Sequence, residues 1–127
     1  MDLDHCPCSG RSLRRIVQPA VMAVLAQGPI HGYRVAQRLE QLRMFEDHPP
    51  DHTGIYRLLK SLEEGGFVVA SWDLPDSGPA KRRYRLTEQG LACLARWIQT
   101  LEEYEQAIAE LLATLRQASQ ALHAPVQ

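Results

Sequence analysis

The 127-residue sequence has no apolar run approaching the ~18–20 residues a membrane span needs, so no spanning helix and no membrane partner are expected. Its first residues, MDLDHCPCSGRS, lack both the basic start and the apolar core of a secretory leader. A cytoplasmic location with reduced cysteines is therefore expected. Basic charge is not in excess: 14 Lys and Arg face 15 Asp and Glu, for a net charge of −1. Taken alone, that balance argues against a nucleic-acid binder. No Ser/His/Asp set, phosphate loop or paired carboxylates in a plausible cleft can be assembled, so the chain is not expected to be an enzyme. There is no internal repeat and no low-complexity tract. A hydrophobic fraction of 45% argues against disorder of the whole chain and fits one domain with an appended element.

The charge that is present is segregated. Residues 1–86 carry 12 Lys and Arg against 10 Asp and Glu, a net of +2, whereas residues 87–127 carry 2 Arg against 5 Glu, a net of −3. A basic body with an acidic tail is a different object from a neutral protein, and the sum conceals it.

Three segments follow. Residues 1–12, punctuated by Pro7 and Gly10, are read as a flexible N-terminal arm. His5, Cys6 and Cys8 could together hold a soft metal, but zinc sites usually space their cysteines by two residues or more and no second ligand pair is evident. The arm is thus either a metal, haem or redox site or two thiols on a frayed end.

Residues 13–86 have the order of a helix-turn-helix with a wing, in a mainly helical fold with a small β-hairpin. A first helix spans 13–27 with Leu13, Ile16, Val17, Ala20, Val21, Val24 and Leu25 on its apolar face and Pro19 expected at its first helical position. A second runs from about Tyr33 to Arg43 with Val35, Ala36, Leu39 and Leu42 inward, before a linker over 44–52. The third, starting at a Thr53 cap, buries Ile55, Leu58, Leu59 and Leu62, offers Tyr56, Arg57 and Lys60 outward, and stops at Gly65-Gly66. Such a helix suits a DNA major groove.

Strands expected at Phe67–Asp73 and Lys81–Leu86 flank a turn-rich LPDSGPA tip. Lys81, Arg82, Arg83 and Arg85 make the return strand basic. Edge strands also use cations to resist aggregation, but a basic hairpin after a third helix is placed to meet phosphates or a minor groove. A winged helix serving only protein contacts is the bland alternative.

Residues 87–127 are read as a dimerisation helix and tail, capped by Thr87 with Gly90 tolerated early. No Pro or Gly interrupts 91–122, about 48 Å of helix at 1.5 Å per residue. Leu94, Ile98, Leu101, Tyr104, Ile108, Leu111, Leu115, Ala118 and Leu122 form a heptad-like seam with one phase slip between Leu101 and Tyr104. That stripe needs either the same helix from a second subunit or a fold-back after a break near Glu102-Glu103. Trp97 on this helix and Trp72 on the wing strand are core residues or the lining of an effector pocket.

Three motifs in order resemble the PadR-like winged-helix transcriptional regulators, in the short form with one C-terminal helix. They are Gln27-Gly28-Pro29-Ile30-His31-Gly32-Tyr33; Gly54-Ile55-Tyr56 with Leu58-Leu59, Leu62-Glu63 and Gly65-Gly66-Phe67-Val68; and Gly78-Pro79-Ala80-Lys81-Arg82-Arg83-Tyr84 to Leu86-Thr87 and Gly90. The resemblance covers about residues 14–122. It implies a homodimeric transcription factor, usually a repressor, that releases a double-stranded DNA operator on binding a small-molecule effector. It also implies DNA contacts from the third helix (Thr53, Tyr56, Arg57, Lys60) and from the wing (Lys81, Arg82, Arg83); Tyr33 is a further candidate DNA contact. Two departures stand out: Arg57 replaces the family's usual Pro, and the His5-Cys6-Pro7-Cys8 arm is not part of the common pattern.

Overall fold

The computed structural model describes residues 16–75 and 78–123. The chain divides between Leu94 and Ala95 into two units. In the first, α1 (Val17–Leu25), β1 (Ile30–His31), α2 (Gly32–Glu40), a 3-10 turn (Arg43–Phe45), α3 (His52–Glu64), β2 (Val68–Asp73) and β3 (Lys81–Leu86) follow in order. The last helix, α4 (Glu88–His123), begins in the first unit and forms the second.

The core is the sum of the apolar stripes. Val21, Val24 and Leu25 of α1, Val35, Ala36 and Leu39 of α2, and Ile55, Leu59 and Leu62 of α3 are buried together with Ile30, Phe45, Val68 and Tyr84. Met22 is fully buried as well. Pro19 is the third residue of α1, not the first. It still lies among the first-turn positions whose N–H groups have no helical partner, so the ring costs no hydrogen bond.

Two boundaries differ from the sequence reading. The second helix ends at Glu40, and Leu42, expected inward, is extended and 38% exposed. Its place in the core is taken by Phe45 on the 3-10 turn, so the linker contributes an anchor. The N-cap of α3 is Asp51, not Thr53: its carboxylate accepts the Thr53 N–H at 3.4 Å, and Thr53 is already the second helical residue.

The stop of α3 is as the glycine pair implied. The Phe67 N–H bonds to the Leu62 carbonyl at 2.9 Å and the Gly66 N–H to that of Glu63 at 3.1 Å, with Gly66 at φ 82°. This is a Schellman closure, which requires a left-handed residue at that position.

The sheet has three antiparallel strands in the order β1-β3-β2, one more than the expected hairpin. The added strand is the two-residue β1, with Ile30 opposite Tyr84 and His31 opposite Arg83. β2 and β3 pair from Val68↔Leu86 to Asp73↔Lys81. Alternation along β3 buries Tyr84 and leaves Lys81, Arg83 and Arg85 exposed, as its period of two dictates.

Thr87 ends β3 and starts α4. Its hydroxyl accepts the Gly90 N–H at 3.1 Å and donates to the Gly66 carbonyl at 2.6 Å, tying the start of α4 to the end of α3. α4 is continuous for 36 residues, so the break near Glu102-Glu103 does not occur. No helix among the described residues is long and apolar enough to cross a membrane.

Candidate nucleic-acid interface

The outer face of α3 is fixed by its inner one. With Ile55, Leu59 and Leu62 locked in the core, Thr53, Tyr56, Arg57 and Lys60 are left exposed. Neither Arg57 nor Lys60 forms an ion pair among the described residues. His52 at the first residue is held to Glu40 at 3.1 Å, which links the end of α2 to the start of α3.

Beside this face lies a shallow concavity of about 300 Å³. Its aromatic lining is His31, Tyr33, Tyr56, Trp72 and Tyr84, and its cations are Lys81 and Arg82. Tyr33, 39% exposed, stacks on His31 with ring centroids 5.7 Å apart. The Lys81 ammonium sits 5.0 Å from the centroid of the Tyr33 ring. Burial raises the pKa of the Tyr84 hydroxyl, with the Arg82 charge pulling the other way. The phenol thus stays protonated at neutral pH.

The basic wing is less free than its composition implied. Arg82 donates to the Glu63 carboxylate at 2.5 Å and lies over the rings of Trp72 and Tyr84, at 5.7 and 5.5 Å. Arg83 donates to Asp73 Oδ2 at 3.1 Å, and His31 Nε2 reaches the same oxygen at 3.0 Å. Among the wing cations, Lys81 and Arg85 have no carboxylate partner among the described residues.

Glu63, Asp73 and His31 carry no sequence signal that marks them as wing partners. The Glu63–Arg82 and His31–Asp73 contacts span 19 and 42 residues, so no local pattern signals them. The Trp72↔Arg82 register was within reach, because it follows from closing the hairpin symmetrically about its tip.

The two tryptophans fall in different units. Trp72 is 63% exposed on β2, so it is not a core residue of the first unit, and Trp97 is half-buried on α4. His5, Cys6 and Cys8 lie outside the described residues. Among the described residues no group of three or more His, Cys, Asp or Glu could hold a metal ion, and Cys93 is a half-buried free thiol. On the second unit Ile98, Leu101, Tyr104, Ile108, Leu111 and Leu115 are exposed along α4; Leu94, at the end of the first unit, is half-buried.

Comparison with protein families matches residues 21–96 to the Transcriptional regulator PadR-like family. A probable transcriptional regulator of Mycobacterium tuberculosis is 32% identical over 79 residues, covering 62% of this chain and 41% of that one. A putative transcriptional regulator from Thermoplasma acidophilum has a crystal structure that is 28% identical, with a TM-score of 0.65 over 81% of this chain and 96% of that chain. The crystal structure of Bacillus subtilis PadR in complex with operator DNA is 25% identical, with a TM-score of 0.59 over 66% of this chain and 46% of that chain. This chain therefore spans less than half the length of the mycobacterial and Bacillus relatives. With a family match across more than half of its length, laid over the winged helix just described, the chain belongs to the PadR-like family of transcriptional regulators.

Proposed function

We propose that the chain is a sequence-specific DNA-binding regulator that works as a homodimer, a repressor released from its operator by a small-molecule effector. The observation that carries the reading is the division of α3: three apolar residues sunk in the core, and Thr53, Tyr56, Arg57 and Lys60 outward with both cations unpaired among the described residues. A helix so held enters a major groove as a rigid body, its polar side chains on base edges and phosphates. Lys81 and Tyr33, at the rim of the neighbouring concavity, reach the flanking backbone. The operator complex of the Bacillus relative supports DNA as the partner.

The dimer supplies the second recognition helix. Two copies of α3 meet successive major grooves when they stand about 34–36 Å apart. The exposed seam of α4 is the surface available for pairing. An effector acts by preferring one spacing of the two recognition helices, and it changes DNA affinity only by its differential binding to the two arrangements. Trp72 on the wing, 63% exposed, is an aromatic side chain offered for it.

Selection of duplexes from a random DNA pool, followed by gel-shift titration at several salt concentrations, tests the reading. The expected result is enrichment of a pseudo-palindromic site with half-sites about 10 base pairs apart and an affinity that falls with salt. A pool that stays unenriched overturns it.

A further inference from the structure

Arg82 has the composition of a DNA contact and the environment of a structural joint. Its guanidinium is engaged on two sides, by the Glu63 carboxylate at 2.5 Å and by the rings of Trp72 and Tyr84 at 5.7 and 5.5 Å. Glu63 lies in the last turn of α3, and Tyr56, Lys60 and Glu63 step by four and three residues. They therefore share one face of the helix. Arg82 stands near the middle of the wing hairpin, opposite Trp72. The pair thus joins the outward face of α3 directly to the wing, across the concavity that Tyr56, Trp72 and Arg82 line together.

We infer that Glu63 and Arg82 form a strut that sets the angle of the wing against the recognition helix, and that Arg82 is a positioning residue for DNA binding, not a phosphate contact. The inference rests on the DNA-binding reading above. Its physical content is a sign. An acidic side chain beside a DNA surface repels phosphate, so on electrostatics alone its neutralisation strengthens binding. If Arg82 were a phosphate contact, Glu63→Gln would release its charge and further strengthen binding, with a steeper salt dependence. As one half of a strut, Glu63→Gln loosens the wing and weakens binding.

The test is a double-mutant cycle on operator affinity, with Glu63→Gln, Arg82→Gln and the double variant, on a duplex selected by the wild-type chain. Each single change is expected to weaken binding by about three- to tenfold, and the double variant to be no weaker than either single one, as for two residues acting through one contact. Arg82→Lys, which keeps a cation for Glu63, is expected to recover part of the loss. Far-UV circular dichroism at the assay temperature identifies variants that are folded. Should the glutamine variants fail to fold, Arg82→Lys and Glu63→Asp carry the same cycle.

Tighter binding by Glu63→Gln, or losses that simply add in the double variant, would overturn the strut. So would wild-type affinity in all variants. These outcomes leave the DNA reading intact, since the wild-type chain has selected its duplex and Arg57→Ala is still expected to weaken binding; a wild-type chain that selects no duplex removes the reading itself and the strut with it.

Discussion

Arg57 and Arg82 carry the same charge and meet opposite circumstances. Arg57 stands on the open face of α3 with no carboxylate partner among the described residues, whereas Arg82 is held by Glu63. A cation that meets a phosphate releases counterions on binding, and this appears as salt dependence. Arg57→Ala is therefore expected to lower operator affinity and to reduce the log–log salt slope by about 0.9 for each phosphate that Arg57 neutralises. Gel-shift titration from low to moderate salt measures both, and an unchanged slope assigns Arg57 some other role. At Gly90, too, the sign of an effect is decisive. Alanine in a helix interior is about 1 kcal/mol more favourable than glycine, so propensity alone says Gly90→Ala stabilises. Here a Cβ would run into the Phe67 carbonyl oxygen and come within 3.1 Å of Leu86 Cδ2. That carbonyl is fixed by the Thr87 N–H at 3.1 Å and cannot simply turn aside. Gly90→Ala is expected to cost about 1–3 kcal/mol, read as a lowered midpoint in denaturant titration. Helix propensity marks Gly90 only as tolerable early in α4; its necessity is a matter of packing between α3's exit and α4's start, which no local pattern carries.

Elements show where periodic signals suffice. α3 and β3 were legible because each buries one face, and a 3.6- or 2-residue period survives in the sequence whatever the details of packing. β1 was not legible, because two residues cannot display alternation; Ile30 and His31 are strand only because β3 lies alongside. The inward Leu42 was misplaced for a related reason: the helical period continues past the point where α2 stops, and Phe45 takes the buried position. The outer face of α3 could be read from the sequence, while the pairing of the wing cations could not, since Glu63 and Asp73 meet them only across the folded sheet and helix. The start of α3 yields a prediction that separates capping from recognition. Asp51 caps through the Thr53 N–H, so Asp51→Ala is expected to destabilise the fold by about 1 kcal/mol. Thr53→Ala leaves that backbone bond in place and is expected to change thermal stability little while lowering operator affinity. Thermal melts and binding titrations of the two variants should rank them in opposite orders.

At the scale of the whole molecule, α4 sets a problem that the single chain leaves unsolved. Ile98, Tyr104, Ile108, Leu111 and Leu115 are each more than half exposed, and Leu101 more than a third. Burying one such side chain is worth about 1.5–3 kcal/mol, and a long helix gains little stability without a packed face. The spacing of the stripe is close to the 3.5-residue repeat that pairs helices, which supports the proposal of a second copy as its partner. In the proposed dimer, a symmetric pair presents two recognition helices, one to each half of a pseudo-palindromic operator. Ile108→Glu combined with Leu111→Glu places two carboxylates per chain on the exposed seam. Sedimentation equilibrium is expected to show a dimer for the wild type and a monomer for this variant. The core of the first unit contains neither residue and should keep its secondary structure, but unpaired α4 should lose helicity, visible in the far-ultraviolet. Operator binding is expected to fall more steeply than truncation of any one α3 side chain explains, because half-site binding forfeits the second recognition helix. A wild-type chain that sediments as a monomer at micromolar concentration would show instead that the stripe serves another partner, and the spacing mechanism for effector release would fall with the dimer.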